Sequence, residues 1–377
     1  MNAAKKTARP KPLALADALA HVALSLGAGS RLPGVRELCA RHGVARETVS
    51  EALALLEARG VITRRQGSGI FVAPTAGLRT IGLAFGSNVF DSCVAPVYRM
   101  LLERCAAKAA DGHSLFRFYI DMPAAGPGRS PFSAHAELLS DVRCGRVNGM
   151  IFTYDGTKQQ RQWHRSLEIP LVYYIPTGRT NDSVGIDYGA IVRQGVSALA
   201  SGGRRRIALI TVLGYLRNEG FDEDIAAYRD ALRDAGLEWE RVWEHLPDGS
   251  TPRTEATAKL WEARGREAVA ALFSASPRPD GLVVTDDMAC RGVLAELEAR
   301  GLKAGRTLGI ATHYTQGSDS LNGNLPGLIR LEVEPVAIID ALFKNLEFRM
   351  DGGGSAAPFL VKPTVSTQTT PTKKARK

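Results

Sequence analysis

Residues 32–72 read LPGVRELCARHGVARETVSEALALLEARGVITRRQGSGIFV, and this stretch decides the fold of the N-terminal part. Pro33 suits the first turn of a helix, so a helix is expected from Pro33 to about His42. Gly43 makes a tight turn, and a further helix runs from about Ala45 to Ala58 and ends at Gly60. Val61–Arg65 and Ile70–Ala73 read as two short strands around Gly67-Ser68-Gly69. Upstream, Leu15, Leu19, Val22 and Leu26 recur at spacings of three and four. They form a helical stripe from Leu13 to Leu26 that Gly27 and Gly29 stop. Leu38, Val44, Val49, Leu53, Leu56 and Ile62 are spaced to bury one small core. Three helices and a hairpin in about sixty residues make a winged helix-turn-helix.

Charge agrees with that reading. The chain of 377 residues carries a net +9. Residues 1–79 hold 12 Lys/Arg against 5 Asp/Glu, and the last five residues add Lys373, Lys374, Arg376 and Lys377. The head is thus +7 and the tail +4, which leaves −2 for everything between. A basic head on a near-neutral body points to a polyanion partner for the head alone. Arg46, Glu47, Thr48 and Ser50 crowd the start of the third helix, where side chains reach base edges in the major groove. Arg36, on the second helix, can clamp a phosphate or a guanine. Arg65, Gln66 and Gly67 sit at the wing, where glycine lets the backbone approach the minor groove. Strand alternation points Arg64 and Arg65 opposite ways.

The head resembles the GntR family of bacterial transcription regulators over about Leu13 to Val72. The resemblance is carried by Leu32-Pro33, Arg36-Glu37-Leu38, Gly43-Val44, Arg46-Glu47-Thr48-Val49, Ala52-Leu53, Leu56, Gly60-Val61-Ile62 and Arg65-Gln66-Gly67-Ser68-Gly69-Ile70-Phe71-Val72. It implies recognition of double-stranded operator DNA. Two positions depart from the family: Ala45 stands where Ser or Thr often caps the recognition helix, and Ser50 where many members carry Arg. The operator sequence therefore does not carry over.

Beyond a short linker, residues 74–80, strands and helices alternate. Strands are expected at Thr80–Phe85, His113–Ile120, Gly149–Tyr154, Leu171–Ile175, Val184–Ile186, Ile207–Val212, Val242–Leu246, Gly281–Val284 and Thr307–Ala311. Helices fall between most of them, for example Tyr188–Ala200, Arg253–Ala263 or beyond, and Cys290–Arg300. Apolar strand runs joined by helices imply doubly wound parallel sheets, and their number favours two lobes. The expected fold class is α/β, with an N-terminal winged helix-turn-helix and a two-lobed periplasmic-binding-protein-like body. The body resembles the lactose-repressor type of effector domain over about Thr80 to Thr367. Its signposts are Val147-Asn148-Gly149-Met150-Ile151, Val184-Gly185-Ile186-Asp187-Tyr188, Gly202-Gly203-Arg204-Arg205-Arg206-Ile207-Ala208-Leu209-Ile210 and Pro279-Asp280-Gly281 through Asp286-Asp287. A GntR-type head on such a body is the arrangement of the arabinose-regulator branch. The domains are expected at 1–12 (disordered basic arm), 13–73 (head), 74–80 (linker), 81–370 (effector-binding body) and 371–377 (mobile basic tail after the Thr364–Thr370 Ser/Thr run).

Ligands of open parallel sheets sit outside the carboxyl ends of the strands. That rule selects Ser87, Asn88, Phe90, Asp155, Tyr174, Arg217, Asn218, Asp287 and His313. Asp, Asn and Arg hold hydroxyls in pairs while an aromatic ring stacks on an apolar face. The resemblance makes Asp287 the first ligand contact, although it could equally cap the helix beginning near Cys290. Asp187 reads as a structural cap, and His313 as either a donor or a loop residue. Asp224 stands near the place of the family's ligand-binding Arg, and His313-Tyr314 replaces the usual Phe-Asp. A sugar or sugar acid is the first expectation for the ligand, with a nucleobase or other small polar metabolite behind it.

Other classes fit less well. No stretch of about 18 apolar residues exists, so no membrane span is expected. Asp17 and His21 interrupt the apolar run near the N-terminus, which argues against an export signal. The five cysteines are scattered, with no Cys-x-x-Cys, which fits reduced thiols in the cytoplasm and gives no metal spacing. No nucleophile elbow, HExxH or phosphate loop accompanies Asp286, Asp287 and His313. The expectation is a homodimeric, cytoplasmic regulator that is not an enzyme and uses no cofactor or metal. The alternative is a DNA-binding protein whose body serves dimerisation only.

Overall fold

The structure is a computed structural model, and it describes residues 11–85, 89, 96–112, 114–120, 133–154, 158–178, 180–211, 223–240, 244–245, 258–274, 276–305, 307–321 and 327–367. Ser87, Asn88, Phe90, Asp155, Arg217, Asn218 and the tail 371–377 lie outside the described residues, as do residues 1–10 of the arm.

The head is built from α1 (Lys11–Leu26), β1 (Arg31–Leu32), α2 (Val35–His42), α3 (Arg46–Ala58), β2 (Ile62–Arg65) and β3 (Gly69–Val72). Leu15, Leu19, Leu38, Val49, Leu53, Leu56, Ile62, Ile70 and Val72 close one core. Burying each Leu contributes roughly 1.5–3 kcal/mol, enough for a small domain to hold its shape. The stripe of α1 drifts from the expected line. Leu15, Ala16, Leu19 and Ala23 are buried, whereas Val22 and Leu26 stay exposed. A straight helix turns 100° per residue, so by its last turn the buried line has moved to Ala23. Gly43 takes a left-handed conformation (φ 62°) and its N–H reaches Cys39 O at 2.9 Å, which turns α2 tightly into α3. The two-residue β1, not expected from the sequence, pairs Arg31 with Phe71 and Leu32 with Ile70 and makes the wing a three-stranded sheet.

The linker is not an open spacer. Its backbone folds into successive turns, with Ala76 N–H donating to Ala73 O and Leu78 N–H to Thr75 O. The Thr75 hydroxyl donates to Gly60 O at 2.7 Å, and Ala76 packs on the head's core. Composition alone hid these contacts, because they are made by the main chain and by small side chains.

The described residues divide between two compact units, 1–85 with 105–152 and 156–171, and 86–104 with 153–155 and 172–377. Beyond the head, the first unit holds β4 (Arg79–Phe85), β5 (Ser114–Ile120), α5 (Ser133–Arg143), β6 (Gly149–Phe152) and α6 (Lys158–Arg165); α4 (Pro96–Ala110) begins in the second unit and ends in the first. β4 pairs in parallel with both β5 and β6. The Asn148 signpost is structural: its Oδ1 accepts from Thr80 N–H at 2.7 Å and its own N–H donates to Thr80 O at 2.8 Å. Asp141, near the end of α5, is buried and accepts from Tyr119 Oη (2.6 Å), Arg146 Nε (2.6 Å) and Arg117 Nη1 (3.1 Å). Burial and this carboxylate push the Tyr119 hydroxyl far above its ordinary range.

The second unit adds β7 (Leu171–Tyr174), β8 (Ser183–Ile186), α7 (Tyr188–Ser201), β9 (Ile207–Ile210), α8 (Glu223–Asp234), β10 (Glu244–His245), α9 (Ala258–Ser274), β11 (Gly281–Val284) and α10 (Asp287–Ala299). It closes with β12 (Gly309–Thr315), β13 (Leu328–Val333), α11 (Pro335–Met350), β14 (Phe359–Val361) and β15 (Thr364–Thr367). The two body sheets have six strands each, in the orders β14-β8-β7-β6-β4-β5 and β10-β9-β11-β12-β13-β15. Among the described residues, β10 pairs in parallel with β9, β9 with β11, β11 with β12 and β12 with β13, as do β14 with β8, β8 with β7, and β4 with β5 and β6, whereas β15 runs antiparallel to β13. This mixed α/β architecture agrees with the expected class. β15 was not expected as a strand: the first four residues of the Thr364–Thr370 run, which the sequence places at the end of the body, are a paired edge strand.

The Gly-Gly-Arg-Arg-Arg run braces the second sheet. Asp280 Oδ1 accepts the N–H groups of Arg205 and Arg206 at 3.0 and 2.8 Å, and Arg206 Nε donates to Arg278 O. Arg204 reaches Gly305 O at 3.1 Å. These contacts fix the starts of β9 and β11, so that their carboxyl ends finish side by side.

Candidate DNA-binding face and ligand site

On the head, Arg36, Arg46, Glu47 and Ser50 are exposed and Thr48 is half-buried. Val49, Ala52, Leu53 and Leu56 turn the opposite side of α3 into the core, which leaves its N-terminal turn facing outward. Ala45 gives α3 no side-chain cap, so its first N–H groups remain open to an acceptor such as phosphate. Arg65, Gln66 and Gly67 are exposed at the wing tip, where Gly67 has φ +73°. The two wing arginines differ. Arg64 is held by Glu57, with Nη2 2.6 Å from Oε2, and that hydrogen bond draws the Glu57 carboxyl below its ordinary range. Arg65 instead lies over the Phe71 ring, 5.2 Å from its centroid, with its charge turned outward. β1 brings a further exposed cation to the wing: the Arg31 guanidinium lies where a Cβ on Gly69 would meet it at 2.9 Å. Sequence reading missed Arg31, because no periodicity announces a two-residue strand.

In the body, parallel register sets the ends of β9, β11 and β12 beside one another, with Val284 opposite both Ile210 and Thr312. Just past that line, Thr285 Oγ1 donates to Thr211 Oγ1 at 3.1 Å, and both are buried. Asp287 does not cap α10, which begins at Asp287 itself. Asp286 is the cap, its Oδ1 accepting from Ala289 N–H at 2.8 Å. Asp287 is thereby released from that task. It is buried, and its Oδ2 accepts from the Ser320 hydroxyl at 2.6 Å. Ser318 Oγ lies 2.6 Å from Ser320 Oγ and also accepts from Ser320 N–H. Asp187 caps α7 through Ala190 N–H at 2.7 Å, as its place before a helix suggests.

His313 is a strand residue, not a loop residue, because β12 continues to Thr315 rather than stopping at Ala311. The side chain is buried and its Nδ1 meets no protein partner, while Nε2 lies 3.5 Å from Thr315 Oγ1. Its ring faces that of Tyr188 at 6.1 Å. Burial holds the His313 pKa below its ordinary value against the pull of the Asp287 charge, so the ring is neutral at pH 7. Burial, and then the neighbouring Asp287, push Asp286 up to about 7. Two adjacent acids, a buried histidine and two serines are thus gathered near the carboxyl ends of β11 and β12. Tyr174 does not join them. It is 4% exposed and meets Tyr98 edge-on at 5.9 Å, which places it in core packing. Ser318 and Ser320 were not singled out from the sequence. Their signal was their position in a polar stretch after the carboxyl end of a strand.

Comparison with known proteins agrees with each part separately. Residues 22–72 match the family of bacterial regulatory proteins called the gntR family. Residues 196–367 match the periplasmic binding protein-like domain. An HTH-type transcriptional regulator of Mycobacterium tuberculosis is 41% identical over 80 residues, 19% of this chain and 30% of that protein, so the chain covers under a third of that relative. Among solved structures, a sugar-binding LacI-family regulator of Escherichia coli in complex with phosphate superposes with a TM-score of 0.57 at 17% identity. That match covers 77% of this chain and 98% of the other. The lac repressor dimer bound to operator and an anti-inducer gives 0.57 at 16% identity, covering 78% and 94%. Such identities establish the fold of the body. Among the described residues, no helix is long and apolar enough to cross a membrane. The chain therefore joins a GntR-family helix-turn-helix domain to a periplasmic-binding-protein-like domain with the fold of the LacI-family regulators.

Proposed function

We propose that the protein is a cytoplasmic transcription regulator that binds operator DNA as a homodimer and changes its operator affinity when a small polar ligand, sugar-like in its hydroxyls, occupies the body. In this reading residues 13–73 bind DNA, 74–80 connect, and 81–370 bind the effector. The observation that carries it is the pairing of an outward, uncapped recognition turn with a basic wing on one small domain. One helix reads only a half-site, so specificity calls for two copies on a roughly palindromic operator. Neighbours of the same fold bind operator as a dimer or are sugar-binding, which supports the same use here.

Selection of bound duplexes from a pool of genomic fragments tests the first half. The full chain should enrich a two-fold symmetric site, and Arg46→Ala should weaken binding to it by about 1–3 kcal/mol. Enrichment of no sequence over random DNA would sink the regulator reading. A thermal-shift screen of sugars and sugar acids tests the second half. The ligand that raises the melting temperature should lose about 1.5–3 kcal/mol of affinity in Asp287→Ala, since a charge-assisted hydrogen-bond pair is removed. Operator affinity without ligand should survive that change. Equal ligand affinity in both proteins would return Asp287 to a purely structural role.

A further inference from the structure

Arg59 ends the recognition helix, at the position following α3. Its guanidinium is 11% exposed and has two partners from different parts of the chain. Nη1 donates to Asp17 Oδ1 on α1 at 2.7 Å, within the head. Nε donates to Cys144 O at 2.5 Å, at the end of α5 in the body. That carbonyl belongs to the last turn of a helix, where partial negative charge gathers and a cation is favoured. Contact there is close: a Cβ on Gly145 would stand 2.9 Å from Arg59 Nε and 3.0 Å from its Nη2. The landing point is itself anchored, because Asp141, one turn earlier in α5, is gripped by Arg117, Arg146 and Tyr119. At Gly60, the residue next to Arg59, the linker is stapled down by Thr75.

We propose that Arg59 is a positioning residue that latches the winged helix to the end of α5, so that the head moves with β4–β6 and α5 as one piece and not on a free tether. The linker bond fixes the hinge and the guanidinium fixes the rotation about it. An Asp17 pair alone would stabilise the head without orienting it, and the bond to Cys144 O is what carries orientation. For a regulator, the direction of the recognition helix is then set by the layer to which α5 belongs. That consequence rests on the function proposed above, but the latch does not.

The test needs neither DNA nor effector, so it can fail while the regulator reading stands, and the reverse. Spin labels are introduced as unnatural residues at exposed Glu51 on α3 and exposed Asp111 after α4 of the full-length chain. The labelled protein is diluted into unlabelled chain so that only distances within one molecule are read. Wild type should give one narrow distance distribution. Arg59→Ala should lose that narrow peak and spread toward longer distances, well below the melting temperature. Arg59→Lys should fall between the two, because one ammonium cannot span both partners. A distribution for Arg59→Ala as narrow as that of wild type overturns the proposal, and so does a broad one for wild type. If Arg59→Ala fails to fold, Gly145→Ala carries the test. It leaves the Arg59–Asp17 pair inside the head and displaces the guanidinium from the body side, so an unbroadened peak there overturns the latch equally.

Discussion

Gly292→Ala should destabilise the body by about 3 kcal/mol, although the same change in an open helix would stabilise it by about 1 kcal/mol. α9 and α10 cross with their backbones nearly in contact. A Cβ on Gly292 would lie 1.8 Å from Glu262 O, and one on Gly265 would lie 2.0 Å from Ala289 O. Both obstacles are main chain, which cannot rotate away as a side chain does. Relief requires the helices to move apart, and that opens the core that Ala268, Val269, Ala289 and Val293 now fill. The Glu262 pairs with Arg266 and Arg291 at 3.2 and 3.1 Å lie on the rim of this crossing. Half-exposed ion pairs of that kind contribute too little to offset the clash. Urea unfolding of the variant reads the effect directly. A midpoint equal to or above that of wild type would mean that the two helices do not approach as closely as described. Gly265→Ala should act the same way, and the double variant should cost less than the sum, since one separation relieves both.

How far the sequence reveals this molecule depends on whether an element carries its own signal. The head was legible because its signals are local: Gly43 and Gly60 end helices, apolar spacing marks the buried faces, and a Gly-Ser-Gly turn makes the wing. β1 was not, since two residues carry no period, and it brought Arg31 to the wing unannounced. The inner body strands β6, β7, β9 and β11 declare themselves as apolar runs because both faces are covered. The final third is quieter. β15 is Thr-Val-Ser-Thr at a sheet edge with Val365 half-exposed, so it reads as a polar run without a strand's signal until β13 is seen beside it. At the candidate ligand site, Asp287 and His313 followed from the rule that strand ends hold ligands. Asp286 as the cap did not follow, because the helix starts at Asp287, three residues before the start near Cys290 that the sequence suggested. Ser318 and Ser320 were missed for a different reason. Their partner is 33 residues away in sequence for Ser320, and only the parallel register of β11 and β12 brings them to Asp287.

The adjacent acids give the second large effect. Asp286→Asn should stabilise the protein relative to wild type at pH 8, by on the order of 3 kcal/mol, and hardly at all at pH 4. Asn caps a helix about as well as Asp, so the bond to Ala289 N–H survives while the charge is removed. The sign follows from the direction of the shift. In the folded chain burial and Asp287 raise Asp286 from 3.8 to about 7. The folded state therefore holds a proton that the unfolded chain releases. The stability gained in this way is complete below about 4, drains as pH rises, and is gone once pH passes about 7. His313 works in the opposite sense. Its pKa is depressed by burial, so its contribution is lost as pH falls and the ring is forced to charge. Because His313 is present in both proteins, subtracting the two melting curves largely removes it and leaves the Asp286 titration. The difference in melting temperature, variant minus wild type, should climb between pH 4 and 7 and then level off. A flat difference would mean that Asp286 titrates like an exposed carboxylate and that the pair is not crowded as described. A fall with pH would mean that the charged form of Asp286 is the one the fold prefers, as a cap bound tightly to the α10 N-terminus would require.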